Sequence, residues 1–134
     1  MKNKLIYLII SLFLIIPLNG CNNHQGMLAP VDSIELLIAE SFPVQVWVKI
    51  EGHLPTPCYQ ISRIEKYRQE NIFHISIMMN YYGDSCIELI VPYTETVSLE
   101  VYGLPAGTYQ VNVNGVVDSF TLEIDNSLPN ITIP

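Results

Sequence analysis

From Val31 onward, apolar residues recur at every second position. The clearest run is Val44, Val46, Val48 and Ile50, alternating with Gln45, Trp47, Lys49 and Glu51. Ile34, Leu36 and Ile38 repeat the pattern before it. Val97, Leu99 and Val101, then Tyr109, Val111 and Val113, then Phe120, Leu122 and Ile124 repeat it after. A period of two marks a strand with one face buried, and no stretch shows a useful 3.6-residue period. Trp47 falls on the face opposite the valines, where we expect it to pack under a neighbour.

Turn signals divide these runs. Leu54-Pro55-Thr56-Pro57 removes two ladder donors and ends the valine strand. Cys58–Arg68 and Ile72–Asn80 read as two strands joined at Gln69-Glu70-Asn71, which predicts a hairpin. Asn80-Tyr81-Tyr82-Gly83-Asp84-Ser85 is a polar, aromatic loop. Ile87–Val91 reads as a short strand stopped by Pro92, and Tyr93–Thr96 as a polar connection. Gly103-Leu104-Pro105-Ala106-Gly107 turns the chain, and Asn114-Gly115 signals a type I′ hairpin. About eight short strands at this spacing predict an all-β, antiparallel sandwich or barrel.

The hairpin has a chemical consequence. With its turn near Glu70-Asn71, Cys58 pairs close to residue 83, so Cys58 and Cys86 meet at the open end. We expect a disulfide between them, closing a loop of 28 residues. Met78 and Met79 read as gap-filling apolar residues.

The first thirty residues follow different rules. Lys2 and Lys4 make a positive start, and Leu5–Leu18 is apolar apart from Ser11 and Pro17. That run falls short of the roughly 20 residues that span a bilayer and fits the core of a secretory signal. Leu18-Asn19-Gly20-Cys21 resembles the lipobox of bacterial lipoprotein precursors. The resemblance implies that residues 1–20 are cleaved and that Cys21 carries a diacylglycerol on sulfur and an acyl chain, such as palmitate, on its amino group. Two or more chains give lasting membrane attachment. Residues 21–30 are then the lipidated cysteine and a flexible tether, 31–125 the sandwich and 126–134 a tail. The expected location is a bacterial cell envelope, with the domain facing the periplasm or the exterior. With Cys21 lipidated, two cysteines remain to pair, in a compartment that permits disulfides.

Leader removal sharpens the charge. Of six Lys and Arg, Lys2 and Lys4 leave with it, so four basic residues face thirteen acidic ones, a formal charge of −9 on the 114 residues that remain. That balance argues against nucleic acid and against electrostatic attraction to anionic lipid.

Leu104-Pro105-Ala106-Gly107-Thr108-Tyr109 resembles the tyrosine corner of immunoglobulin-like and fibronectin-like sandwiches. The resemblance implies such a fold, with Leu104, Gly107 and Tyr109 as its fold motif. Val111 stands where antibody domains place a cysteine, so the likeness is to the sandwich alone. Together with Pro55, Pro57-Cys58, Cys86-Ile87 and Asn114-Gly115, the arrangement is similar to that of small uncharacterised bacterial lipoproteins, a likeness that implies no activity.

Residues for catalysis are sparse. His24, His53 and His74 lack zinc-ligand spacing, and there is neither a nucleophile elbow nor a phosphate-cradling glycine loop. We expect no enzyme, no cofactor and no metal. Asn130-Ile131-Thr132 matches a glycosylation acceptor, which behind a bacterial leader reads as chance. The expected role is a lipid-anchored binding or structural module of the envelope. Leu54–Pro57 and Asn80–Ser85 are its candidate loops, with Tyr81, Tyr82 and Asp84 presented to a protein or glycan. The alternative is an extracellular protease inhibitor presenting disulfide-braced loops.

Overall fold

Eight strands build the protein in a computed structural model that describes residues 26–129: β1 (Met27–Leu28), β2 (Val31–Ile38), β3 (Val46–Leu54), β4 (Tyr59–Gln69), β5 (Ile72–Tyr81), β6 (Val91–Ser98), β7 (Gly107–Val113) and β8 (Val116–Leu122). The leader, Cys21, His24 and Asn130-Ile131-Thr132 lie outside the described residues. One sheet has the order β2-β3-β6. The other runs β4-β5-β7-β8, and β1 joins the same edge of β5 beyond the end of β7. The expected β-sandwich is the fold.

The period of two explains the core. Val46, Val48 and Ile50 of β3 point inward and are buried. They meet Phe73, Ile75, Ile77 and Met79 of β5, Tyr109, Val111 and Val113 of β7, and Phe120 and Leu122 of β8 in one apolar cluster. Lys49 and Glu51, the alternate residues of β3, face out and pair at 2.7 Å.

The antiparallel expectation needs correction at one place, because β5 and β7 run parallel. The physical reason is composition within the β4–β5 hairpin. β5 alternates buried and half-buried residues along its length, whereas β4 carries Arg63, Glu65, Lys66 and Arg68 and is exposed from Ser62 on. The apolar arm therefore goes inside, next to β7, and the charged arm becomes the edge. In the immunoglobulin order the first strand of this pair would take the inner place. Charges along an exposed edge also oppose unwanted strand addition.

Three boundaries differ from the sequence reading. The tether expected over 21–30 ends sooner, because Met27 and Leu28 already pair with Met79 and Met78, and Ala29 is buried. The tail expected from residue 126 begins later, because Asn126 is buried in the domain. Ile87–Ile90 is no strand, and the strand begins at Val91 and runs through Pro92. Pro92 is tolerated because β6 is an edge, where a missing donor facing outward breaks no ladder bond. The inward positions of β6 are Val91, Tyr93, Glu95 and Val97, and the polar ones among them hide the alternation.

Asn114 joins the two strands that share the edge of β5. Asn114 and Gly115 both have positive φ, 48° and 96°, as the type I′ turn requires. The Asn114 amide donates to Ala29 O and Ile77 O, and its Oδ1 accepts from Ile77 N. One side chain thus completes the ladder where β7 stops and β1 starts.

Tyr93 fills the space over Gly52, where an added Cβ would lie 2.6 Å from the tyrosine ring. Its hydroxyl donates to Pro30 O at 2.8 Å. Burial, then the nearby Asp32 and Glu95 carboxylates, push the phenol up to about 12 from its ordinary value near 10. The unfolded chain releases this proton near pH 10 and the folded protein holds it to about pH 12. The stabilisation is therefore complete below pH 10 and is lost as pH rises between the two values. Denaturant melts from pH 9 to 12 are expected to fall less steeply for Tyr93→Phe than for the unmodified protein, because phenylalanine has no proton to lose.

Candidate functional site

The exposed end of the β4–β5 hairpin collects most of the residues that the sequence singled out. Its two strands pair from Gln69–Ile72 to Tyr59–Tyr81, with a bulge between Ile61 and Arg63. The extra residue moves the register by one, so Cys58 O accepts from Tyr82 N at 2.8 Å. Cys58 and Cys86 form the expected disulfide, with Cα atoms 6.0 Å apart. Gly83 passes directly over the bridge, and a Cβ there would come within 2.7 Å of Cys58 Cβ. Glycine alone fits that crossing without displacing the bridge.

The bridge displays apolar surface. Tyr82 is 62% exposed, and Tyr81, half exposed, sets its ring edge-on to Tyr59 at 5.1 Å. Asn80 Nδ2 donates to the Tyr82 hydroxyl at 3.3 Å. Asp84 is exposed. Beyond Cys86 the chain carries Ile87, Leu89 and Ile90, of which Ile87 is 67% exposed. Sequence reasoning assigned these three to a strand and so overlooked them as surface. The apolar spacing was legible, but no partner strand was available to it. Leu54–Pro57 enters the same end, with Leu54 buried and both prolines exposed.

The tyrosine motif lies at the opposite end and serves the fold. Tyr109 is buried and its hydroxyl donates to Pro105 O at 2.8 Å, across the turn that precedes β7. Its ring stacks on Phe120 at 5.6 Å. Leu104 is buried behind it, and Gly107 opens β7 at φ 153°. Tyr109→Phe removes one bond and keeps the ring, so it is expected to cost about 1 kcal/mol in a denaturant melt.

A shallow groove of about 310 Å³ also lies at that far end, bounded by Pro43, Gln45, Trp47, Glu100 and Tyr102. Trp47 is half-buried there, on the outer face of β3. Its ladder partners are Leu37 and Ser98. Lys66 reaches across from β4 to Glu100 at 3.0 Å and to Ser98 O at 2.9 Å.

Among the described residues no group of three or more His, Cys, Asp or Glu side chains is placed to hold a metal ion. His53 Nδ1 lies 2.9 Å from both oxygens of Asp32, an exposed pair on the outer surface. His74 stacks on Tyr67 at 4.7 Å. The two histidines thus sit apart, each with a local partner.

The chain belongs to the ORF11 beta-sandwich domain family, whose model matches residues 48–122. The match covers most of β3 and all of β4 to β8, including both bridge cysteines and Tyr109. No curated protein and no solved structure matches it.

Proposed function

We propose that this member of the family is a bacterial lipoprotein: a non-catalytic binding or structural module of the cell envelope, anchored through acyl chains on Cys21. The observation that carries the reading is the run Leu18-Asn19-Gly20-Cys21 behind a short positive and apolar leader. The head described above supports it, since a rigid sandwich with a disulfide is a scaffold suited to an oxidising compartment and to the display of loops. Its surfaces for a protein or glycan are Tyr81, Tyr82 and Asp84 at the disulfide end and the Trp47–Tyr102 groove at the other.

Mass spectrometry of the native protein tests the anchor. The expected N-terminal peptide begins at Cys21 and carries diacylglycerol and an amide-linked acyl chain. Cys21→Ser is expected to move the protein out of the membrane fraction, because the thioether has no substitute. A protein that retains residues 1–20, or one with an unmodified Cys21, contradicts the proposal.

A second reading, an extracellular protease inhibitor, draws on one observation: the exposed stretch around Cys86 is braced at its base by the bridge to Cys58. A protease panel assayed with the mature chain decides it. Inhibition that disappears when Asn80–Ser85 is rebuilt favours the inhibitor, and no inhibition removes it.

A further inference from the structure

The described chain begins at Gly26, and Gly26 lies at the disulfide end. Met27 pairs with Met79, so Gly26 lies beside Asn80. A Cβ on Gly26 would lie 3.0 Å from Asn80 Oδ1, and the same Asn80 side chain holds the Tyr82 hydroxyl. Among the described residues Met27, Leu28, Tyr82, Ile87, Leu89 and Ile90 are each more than half exposed at this end, and the last three fall within one short stretch beside the bridge. Ile38, Tyr67, Tyr102, Ile124 and Leu128 are comparably exposed elsewhere, without such a run. Scattered apolar residues on a surface need no explanation, whereas a run of exposed aliphatic residues beside an exposed tyrosine on one loop marks a contact.

We infer that this end rests on the lipid surface to which Cys21 is anchored, with Tyr82, Ile87, Leu89 and Ile90 in the headgroup–acyl boundary. The inference rests on the lipid-anchor reading above. Its second support is length. Five peptide steps separate Cys21 from Gly26 and reach at most about 18 Å. The ten residues of β5 extend roughly 33 Å. The tether is shorter than the head, so the end beside Gly26 stays at the membrane. Leu54 of β3 belongs to that end through Pro55–Cys58, and Trp47 is seven residues back along the strand. Of the two surfaces proposed above, the disulfide end is therefore taken by lipid and the Trp47–Tyr102 groove is the one left for a protein or glycan.

The chemistry agrees. Tyrosine favours the interface because its ring is apolar and its hydroxyl remains wet. Aliphatic residues on a short loop enter only the outer acyl region, a weak contact in solution. A short tether raises the local concentration to the millimolar range, where a weak contact is occupied. Asp84 and Glu88 are the side chains of the loop that are charged at neutral pH, both acidic, so the attraction is apolar and a zwitterionic bilayer is the proper probe.

The test uses the lipidated full-length product in phosphatidylcholine vesicles that contain acyl-chain nitroxide lipids. Tryptophan reporters are placed by Ile90→Trp and by Tyr102→Trp, each in a Trp47→Phe background. Each is also made with Trp47 retained and read as a difference spectrum, so that a disturbed background does not decide the result. The Ile90→Trp emission is expected to shift to the blue and to fall about two-fold with the quencher, while the Tyr102→Trp emission stays unchanged. Equal quenching at both sites, or none at Ile90→Trp, overturns the docking if mass spectrometry shows lipid on Cys21, and leaves the anchor standing. A blue shift at Ile90→Trp without lipid quenching means that protein covers the site, and also overturns it. A bare Cys21 overturns the anchor and the docking together.

Discussion

Asn126→Ala lowers the unfolding free energy by about 3 kcal/mol, the expected loss from three side-chain hydrogen bonds of which the groups left behind are partly or wholly sealed from water. Asn126 is 1% exposed. Its Oδ1 accepts from Val44 N at 2.6 Å, and its Nδ2 donates to Val44 O at 2.9 Å and Val101 O at 3.0 Å. Its own backbone pairs with Leu104 O and Gly103 N. Five bonds therefore tie the segment after β8 to the entry of β3 and to the chain between β6 and β7. Val44 and Val101 lie at irregular backbone, and the Asn126 amide takes the place of a strand neighbour for both. Removing it takes the side-chain partner from Val44 N and Val44 O and leaves Val101 O with the 3.3 Å bond from Leu104 N. In a head of this size the midpoint of a thermal melt should fall by on the order of 10–15 °C. Asn126→Asp separates shape from hydrogen bonding. It keeps the acceptor for Val44 N but sets a carboxylate against two carbonyl oxygens. Its stability should be poor at neutral pH and partly restored in acid, where a protonated carboxyl can donate once. A melt of Asn126→Ala within about 1 kcal/mol of the unmodified protein would show that these bonds are replaced by water.

That clamp was invisible in the sequence, and the reason is distance along the chain. Asn126 acts on Val44, 82 residues earlier, and on Val101. Asn114 was visible only for its local role in a type I′ turn, although it also reaches Ala29, 85 residues earlier. Local patterns report backbone conformation and the buried face, so β3, the β4–β5 hairpin and the β7–β8 hairpin were legible from alternation and turn chemistry. They do not report which strands become neighbours. The parallel β5–β7 pair follows from the contrast between a charged β4 and an alternating β5. That contrast is present in the sequence but needs the second sheet to give it meaning. Ile87–Ile90 misled for a related reason. Apolar residues were taken to be covered, and Ile87, Leu89 and Ile90 are each more than half exposed. Trp47 shows the same limit from the other side, since the face opposite the valines proves half-covered, at the border of a groove. In each case a residue's type was read correctly and its surroundings were supplied by a distant segment.

Opening the Cys58–Cys86 bridge is the second change with a large expected effect. Cys58→Ser with Cys86→Ser should lower stability by roughly 3–4 kcal/mol, the chain-entropy value for releasing a loop of 28 residues in the unfolded state. The cost should be global in the melt and local in the native structure. β4 and β5 remain joined at Glu70-Asn71 and paired along their length, so the hairpin itself persists. Among the described residues the stretch from Tyr82 to Ile90 is held otherwise by the Tyr82 N bond to Cys58 O, the Asn80 amide on the Tyr82 hydroxyl, one internal bond from Leu89 N to Ile87 O and the strands at its ends. Hydrogen exchange is therefore expected to rise sharply in residues 82–90 of the double variant and to change little in β7 and β8. Gly83 provides an independent check. It crosses the bridge at a distance that leaves no room for a side chain, so Gly83→Ala should be poorly tolerated in the oxidised protein. With both cysteines replaced by serine the same substitution should cost much less, because the loop is free to move away. A non-additive pair of this kind ties the glycine to the bridge. Additive costs, or an unchanged exchange pattern over 82–90, would mean that the loop is shaped by its own contacts and that the disulfide only fastens what is already in place.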